Sequence, residues 1–241
     1  MTVSAASYVR ELALEIPEAT RIFEKAGIDY CCGGNRSLKE ACAVANLSVD
    51  ELLDSLELAE QQARTKRKDR NWQAEPLADL VDHINSTHHK YTREEIARLR
   101  PLLDRVVSVH GVRHPELLRI RIVFNGLAQE LTTHIMKEEQ VLFPYIVRME
   151  ESVIQKEPLL PARFGTVQNP VTMMVHDHES VGESLRAMRH ASLEYASPAD
   201  ACVSYQTLYK ALVEFEKDLH QHIHLENNIL FPRAIEMERT H

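Results

Sequence analysis

The chain carries the same short pattern twice. The first copy spans residues 134–144 and reads HIMKEEQVLFP, and the second spans 222–232 and reads HIHLENNILFP. In both copies a glutamate, Glu138 or Glu226, stands four residues after a histidine, and Leu-Phe-Pro follows at the same distance. Four residues make about one helical turn, so each His–Glu pair lies on one helix face. The repeat therefore predicts two related helices that present matching polar pairs.

Both polar pairs lie within apolar stripes at helical spacing, where a leucine is expected. The stripes run through Leu127, Leu131, His134, Glu138, Val141 and Tyr145, and through Leu208, Leu212, Phe215, Leu219, His222, Glu226 and Ile229. A buried carboxylate without a compensating charge is very costly. Two metal cations supply that charge, and carboxylate and imidazole are suitable ligands. The alternative, two structural His–Glu hydrogen bonds, would require rarely buried residues to be buried twice.

The other helices are expected to supply the remaining ligands. On the third long helix, His178 shares a face with apolar residues and His176 points away, so the pattern favours His178. On the first long helix three histidines compete, His83, His88 and His89. Periodicity alone favours His88, since His89 lies about 100° further round the helix.

The fold class indicated by these patterns is all-α. Four long helices are predicted at about 76–105, 115–148, 170–195 and 199–238, which is typical of a bundle. The predicted organisation is a small helical domain over 1–58, a linker over 59–75 and the bundle over 76–241. Low contents of glycine (7 residues) and aromatic residues (6%) also favour helices over a β-sandwich. Ser37 and Ser48, each followed three residues later by a glutamate, predict helix starts in the small domain.

Charge and composition exclude several function classes. The net charge of −8 argues against general binding to nucleic acid, and the basic stretch from Arg64 to Arg70 is interpreted as part of a solvated linker. No run approaches the roughly 20 apolar residues of a membrane span. The N-terminal residues lack the pattern of a signal peptide, so a cytoplasmic location is expected, with reduced thiols.

Two adjacent cysteines, Cys31 and Cys32, lie in the glycine turn YCCGG over residues 30–34. Adjacent cysteines do not readily form a relaxed disulfide with each other. Such thiols can bind a thiophilic metal, exchange disulfides or ligate iron in transit, and the alternative is a role as small apolar side chains. We predict a functional role for both.

These residues resemble the Repair of Iron Centres family of bacterial hemerythrin-like di-iron proteins, over nearly the whole chain. The marks of the resemblance are DYCCGG at 29–34, Asp82-His83, and the two HxxxE–LFP motifs. It implies a hemerythrin-like bundle with two non-haem irons held by His89, His134, Glu138, His178, His222 and Glu226. His88 is kept as the alternative to His89.

The resemblance also implies that both glutamates bridge the two irons. Coordination positions would remain for an oxo or hydroxo bridge and for dioxygen or nitric oxide. The ligand types alone also suit zinc or manganese, so iron follows from the resemblance.

Three functions compete. The leading hypothesis is repair of iron–sulfur proteins damaged by nitrosative or oxidative stress, with the di-iron centre supplying iron and Cys31 and Cys32 taking part. The second is an enzyme that reduces nitric oxide or dioxygen at the same centre. The third is a hemerythrin-like gas sensor or carrier. The Cys-Cys domain favours the first, because a gas carrier needs no thiol partner. The sequence leaves the oligomeric state open.

Overall fold

The computed structural model of the chain confirms the all-α fold class. It describes residues 3–16, 19–30, 33–65, 71–159 and 162–241, and within these ranges there are helices and two isolated β-bridges but no strand. By their contacts the residues form two compact units. One comprises Met1–Glu75 with His220–Pro232, and the other Pro76–Leu219 with Arg233–His241.

The N-terminal part of the first unit contains four helices around a small apolar core. They are α1 (Val9–Glu15), α2 (Ala19–Ala26), α3 (Leu38–Ala45) and α4 (Val49–Thr65). The predicted cap at Ser37 is present: its hydroxyl accepts from the Glu40 N–H, and the Glu40 carboxylate accepts from the Ser37 N–H. Fully buried side chains fill the core, among them Leu12, Phe23, Leu38 and Leu56.

Helix α4 passes residue 59, where the linker is predicted to begin. Within the predicted basic stretch, residues 66–70 lie outside the described residues, as do the side chains of 60–65. No helix among the described residues combines the length and apolarity needed to cross a bilayer.

Among the described residues from 71 onward there are four long helical segments, and each buries one apolar face. The first runs through α5 (Leu77–His83), a π-helical turn (Ile84–His89) and α6 (Lys90–His110). The second runs through α7 (Glu116–Lys137), a π-helical turn (Glu138–Leu142) and α8 (Phe143–Gln155). The third is α9 (Gln168–Ala191), and the fourth runs through α10 (Val203–Leu225), a π-helical turn (Glu226–Leu230) and α11 (Phe231–Thr240).

These bounds differ from the predicted ones mainly at the C-terminal ends. The first segment continues to His110 and the second to Gln155. The third ends at Ala191, because three consecutive residues, Leu193, Glu194 and Tyr195, take positive φ angles that no right-handed helix accommodates.

Each of these π-helical turns begins or ends at a predicted metal ligand, namely His89, Glu138 or Glu226. At the two repeated motifs, the N–H of Phe143 bonds to the carbonyl of Glu138, and that of Phe231 to the carbonyl of Glu226, five residues back in each case. In both motifs a proline lies two residues after the turn. Because proline has no N–H, one backbone hydrogen bond of the α-helix is missing there. Turns of this kind occur frequently at functional sites.

The predicted apolar stripe of the second segment was wrong at one position. Val141 is 48% exposed, while its neighbour Leu142 is buried. The cause is the π-helical turn, which adds a residue to one turn and moves the buried face by one position.

Candidate metal centre

All six predicted ligand side chains are buried to 2% exposure or less. The second unit supplies four of them. His89 ends a π-helical turn, Glu138 begins the next, and His134 and His178 lie on α7 and α9. His222 and Glu226 lie on the last long segment, at the junction of α10 and its π-helical turn.

Glu138 faces two histidines at once. Its Oε2 lies 3.3 Å from Nε2 of His89, and its Oε1 lies 3.3 Å from Nε2 of His134. The two oxygens of this carboxylate are therefore each available to a cation that one of the two imidazoles also contacts.

The Nε2 atoms of His134 and His178 are 3.0 Å apart and both are buried. On the second motif, Nε2 of His222 lies 3.0 Å from Oε1 of Glu226. Hydrogen bonding can use only one proton between two facing imidazole nitrogens, whereas a metal cation can accept an electron pair from each of them.

The ligand atoms gather into two overlapping groups. One comprises His89, Glu138, His222 and Glu226, and the other His134, Glu138, His178 and Glu226, with the atoms of each group within 4.8 Å of one another. Both glutamates belong to both groups. Imidazole and carboxylate donors concentrated in this way, with two buried carboxyl groups, fit a site for divalent or trivalent cations.

The geometry places His89 in a ligand group and gives His88 another partner. Nδ1 of His88 lies 3.0 Å from the Asp218 carboxylate. The π-helical turn explains the difference from periodicity, because the N–H of Lys90 bonds to the carbonyl of Asn85, five residues back. One extra residue in this turn brings His89 onto the face that an α-helix would give to His88.

Two histidines of the ligand groups also contact carboxylates through Nδ1, and these carboxylates were not predicted from the sequence. Nδ1 of His89 lies 3.0 Å from Glu139, which also bonds to Arg93, and the ring stacks on Phe143. Burial acts to raise the pKa of Glu139, but the hydrogen bonds from Arg93 and His89 outweigh it and lower that pKa overall.

The second such carboxylate is Asp177. It lies 3.4 Å from Nδ1 of His134 and 3.0 Å from Nζ of Lys137. The hydrogen bond from His134, with that from Lys137, lowers the pKa of Asp177 to about 2 despite partial burial. A carboxylate on Nδ1 leaves Nε2 as the metal-binding nitrogen and fixes the ring orientation. One histidine of each ligand group has this support.

Removing either supporting carboxylate should weaken metal binding. We expect Asp177→Asn and Glu139→Gln each to reduce metal affinity about 10- to 100-fold without unfolding the protein. Chelator competition on the metal-loaded protein measures this. The exposed Glu179, on the same helix as Asp177, gives a matched control in Glu179→Gln. Affinities of both variants within twofold of the control would contradict the role.

The remaining predicted site residues, Cys31 and Cys32, lie outside the described residues. Their sequence neighbour Tyr30 is buried, and its ring lies edge-on to His224 with the centroids 5.4 Å apart. In the same unit, Glu24 accepts from the Tyr30 hydroxyl and lies 3.3 Å from Nδ1 of His220. Tyr30 therefore contacts the helix that carries His222.

Comparisons with known proteins agree with this architecture. The family described as "Hemerythrin HHE cation binding domain" matches residues 80–234, and one described as a domain of unknown function, DUF542, matches residues 5–60. The chain thus belongs to the hemerythrin HHE cation-binding class, and its bundle is hemerythrin-like.

Similarity to curated relatives identifies the family more closely. The chain is 36% identical over 226 residues to the iron-sulfur cluster repair protein YtfE of Escherichia coli, covering 93% of this chain and 94% of the relative. It is 34% identical to a probable iron-sulfur cluster repair protein of Haemophilus influenzae (93% and 95%) and to YtfE of Yersinia pseudotuberculosis (94% and 96%). The chain belongs to the family of these iron-sulfur cluster repair proteins.

Proposed function

We propose that this protein repairs iron–sulfur clusters damaged by nitrosative or oxidative stress and that it supplies iron from a centre of two ions. The observation that carries the proposal is the pair of overlapping ligand groups that share Glu138 and Glu226. Family membership supports cluster repair as the function, since relatives that align along nearly their whole length are named for it.

In this proposal His89 and His222 bind one iron, His134 and His178 bind the other, and both glutamates bridge them. Six protein side chains provide about four bonds to each ion, and iron generally takes more. Positions therefore remain for a bridging oxygen and for a small molecule such as nitric oxide or dioxygen. When bound, the irons supply redox chemistry and exchangeable metal.

The residues that support the ligands orient them and leave the edge of the site partly exposed to solvent. Glu139 and Asp177 keep His89 and His134 oriented, and each supporting carboxylate is partly exposed, at 30% and 28%. Each carboxylate raises the basicity of the imidazole that it contacts and strengthens its bond to a metal ion, while its partial exposure leaves the edge of the site open to competing ligands.

Cys31 and Cys32 are proposed as the thiols that take iron from the centre or contact the damaged client. The support is their place in sequence directly after Tyr30, which packs on His224 beside His222. Thiolates are soft ligands that compete for iron in transit. The proposed partners are damaged iron–sulfur proteins, and the proposed location is the cytoplasm, where thiols stay reduced.

Reactivation of an iron–sulfur enzyme damaged by nitric oxide tests the proposal. The metal-loaded protein should restore activity, and Cys31→Ser/Cys32→Ser should slow the restoration at least tenfold while retaining metal, since all six proposed ligands lie elsewhere. Cys42→Ser is the matched control, because Cys42 is buried in the apolar core of the first unit. Equal rates for the double variant and the control would contradict the thiol role.

A second candidate function is reduction of nitric oxide or dioxygen at the same centre, favoured by the coordination positions that the six ligands leave open. The same assay separates the two functions. Consumption of nitric oxide with an added reductant, without reactivation of the damaged enzyme, would replace repair by reduction.

A further inference from the structure

A second cluster of reactive side chains lies far from the metal-ligand groups. Nε2 of His110, the last residue of α6, is 3.1 Å from Sγ of Cys202. His89 and His110 lie 21 residues apart on one continuous helical segment, which corresponds to about 30 Å. The pair therefore has no place in the chemistry of the proposed iron centre.

Cys202 occupies the N-cap position of a long helix. Helix α10 begins at Val203 and continues to Leu225, and the carbonyl of Cys202 accepts the first intrahelical hydrogen bond, from the N–H of Gln206. The partial positive charge at a helix N-terminus stabilises a thiolate. Cys202 is also exposed, so a reagent in solution can reach its sulfur.

His110 is buried to 4% exposure, and the thiol is the one hydrogen-bond partner of its imidazole ring within the described residues. Its other ring nitrogen, Nδ1, is buried with no partner among these residues. The ring packs against Tyr205, with the centroids 5.3 Å apart. An incompletely satisfied buried imidazole costs stability, and a catalytic or redox role is one accepted explanation for such a group.

Acidic and basic side chains both lie near the His110–Cys202 pair. His114 lies beside His110 and is held 3.0 Å from both Glu116 and Asp200. Burial acts to lower the pKa of His114, but these two carboxylates outweigh it and raise that pKa overall. Arg113 pairs with Asp200 on the outside. Both carboxylates are thus engaged by other side chains, Glu116 by His114 and Asp200 by His114 and Arg113, and oppose a thiolate less than free carboxylates would.

We propose that Cys202 is a thiol-exchange site that forms mixed disulfides with low-molecular-weight disulfides, with His110 as its base. His110 Nε2 accepts the thiol proton as the Cys202 sulfur attacks one sulfur of the incoming disulfide. One S–S bond forms and one breaks, and the leaving thiolate takes the proton from His110. The number of disulfides is unchanged, so no other oxidant is consumed. Modification of Cys202 would indicate that the pool of small thiols has become oxidised, and it would do so at a surface remote from the iron centre.

The test is the rate of glutathionylation of Cys202 in the intact, metal-loaded protein treated with glutathione disulfide at pH 6. Peptide mapping by mass spectrometry separates Cys202 from the other cysteines. A synthetic peptide of residues 198–207 is the reference, because it lacks both the helix and His110. We expect about a tenfold faster reaction in the protein, because His110 takes the thiol proton during the attack and the helix N-terminus stabilises negative charge that develops on the sulfur.

His110→Asn should return the rate to within about threefold of the peptide, and His190→Asn, an exposed histidine on α9, should leave it unchanged. If His110→Asn does not fold, His110→Gln replaces it, and the comparison of wild-type protein with peptide stands in either case. A wild-type rate within twofold of the peptide would overturn the site, and an unchanged rate in a folded His110 variant would overturn the role of His110.

Discussion

Replacing Glu138 by leucine is expected to remove both metal ions while leaving the helices in place. Glu138 belongs to both ligand groups, and its two oxygens face His89 and His134 at 3.3 Å each. The variant should fall from about two ions per chain to about none, because each ion loses a charged ligand. Since leucine suits a buried helix face, the metal-free variant should unfold no more easily than the metal-free wild-type protein.

A buried carboxylate outside the ligand groups provides the matched control. Glu216 on α10 is 4% exposed and bonds to Arg189 at 2.9 Å. Glu216→Leu should show the opposite pattern: the metal content should be unchanged, and the free energy of unfolding should fall by about 2 kcal/mol, because Arg189 keeps its bond to Glu194 but loses the one to Glu216. Metal analysis and thermal unfolding by circular dichroism measure both. Retention of two ions by Glu138→Leu would contradict the bridging role.

The second large effect is expected from the adjacent histidines. His89→Ala should reduce the metal content to about one ion per chain and change the absorption spectrum of the centre, because His89 belongs to one ligand group only. His88→Ala should keep both ions and the spectrum. It should lose the hydrogen bond with Asp218, worth about 1 kcal/mol of stability, and the edge-on contact with the ring of His83.

The two variants control each other, since both remove a buried imidazole from the same π-helical turn. Spectra and metal content are compared at equal protein concentration after loading with iron. If His88→Ala alone perturbed the centre, α-helical periodicity would describe this helix better than the π-helical turn does.

Much of the architecture follows from the sequence because the repeat is unusually constraining. Glu138 and Glu226 stand where leucine is expected, and burial of both is the physical reason that a cation site can be predicted. His178 also follows from periodicity, because α9 is a regular α-helix from Gln168 to Ala191. For such helices the spacing of apolar residues determines which side chains point inward.

Other features could not be predicted, since they depend on local departures from α-helical geometry or on contacts between helices. The choice between His88 and His89 and the exposure of Val141 both follow from π-helical turns. Prolines after two of these turns are a sequence signal for them, but the turn at His89 has no proline close behind it. Asp177 supports His134 across two helices, a pairing that spacing along one helix does not reveal.

An anomalous-difference map, recorded at the iron absorption edge from crystals of protein purified from iron-replete cells, tests the two-iron centre most directly. We predict two iron peaks per chain, one between His89 and His222 and one between His134 and His178, with Glu138 and Glu226 contacting both. A single peak, or none, in a folded protein with these six side chains in place would contradict it.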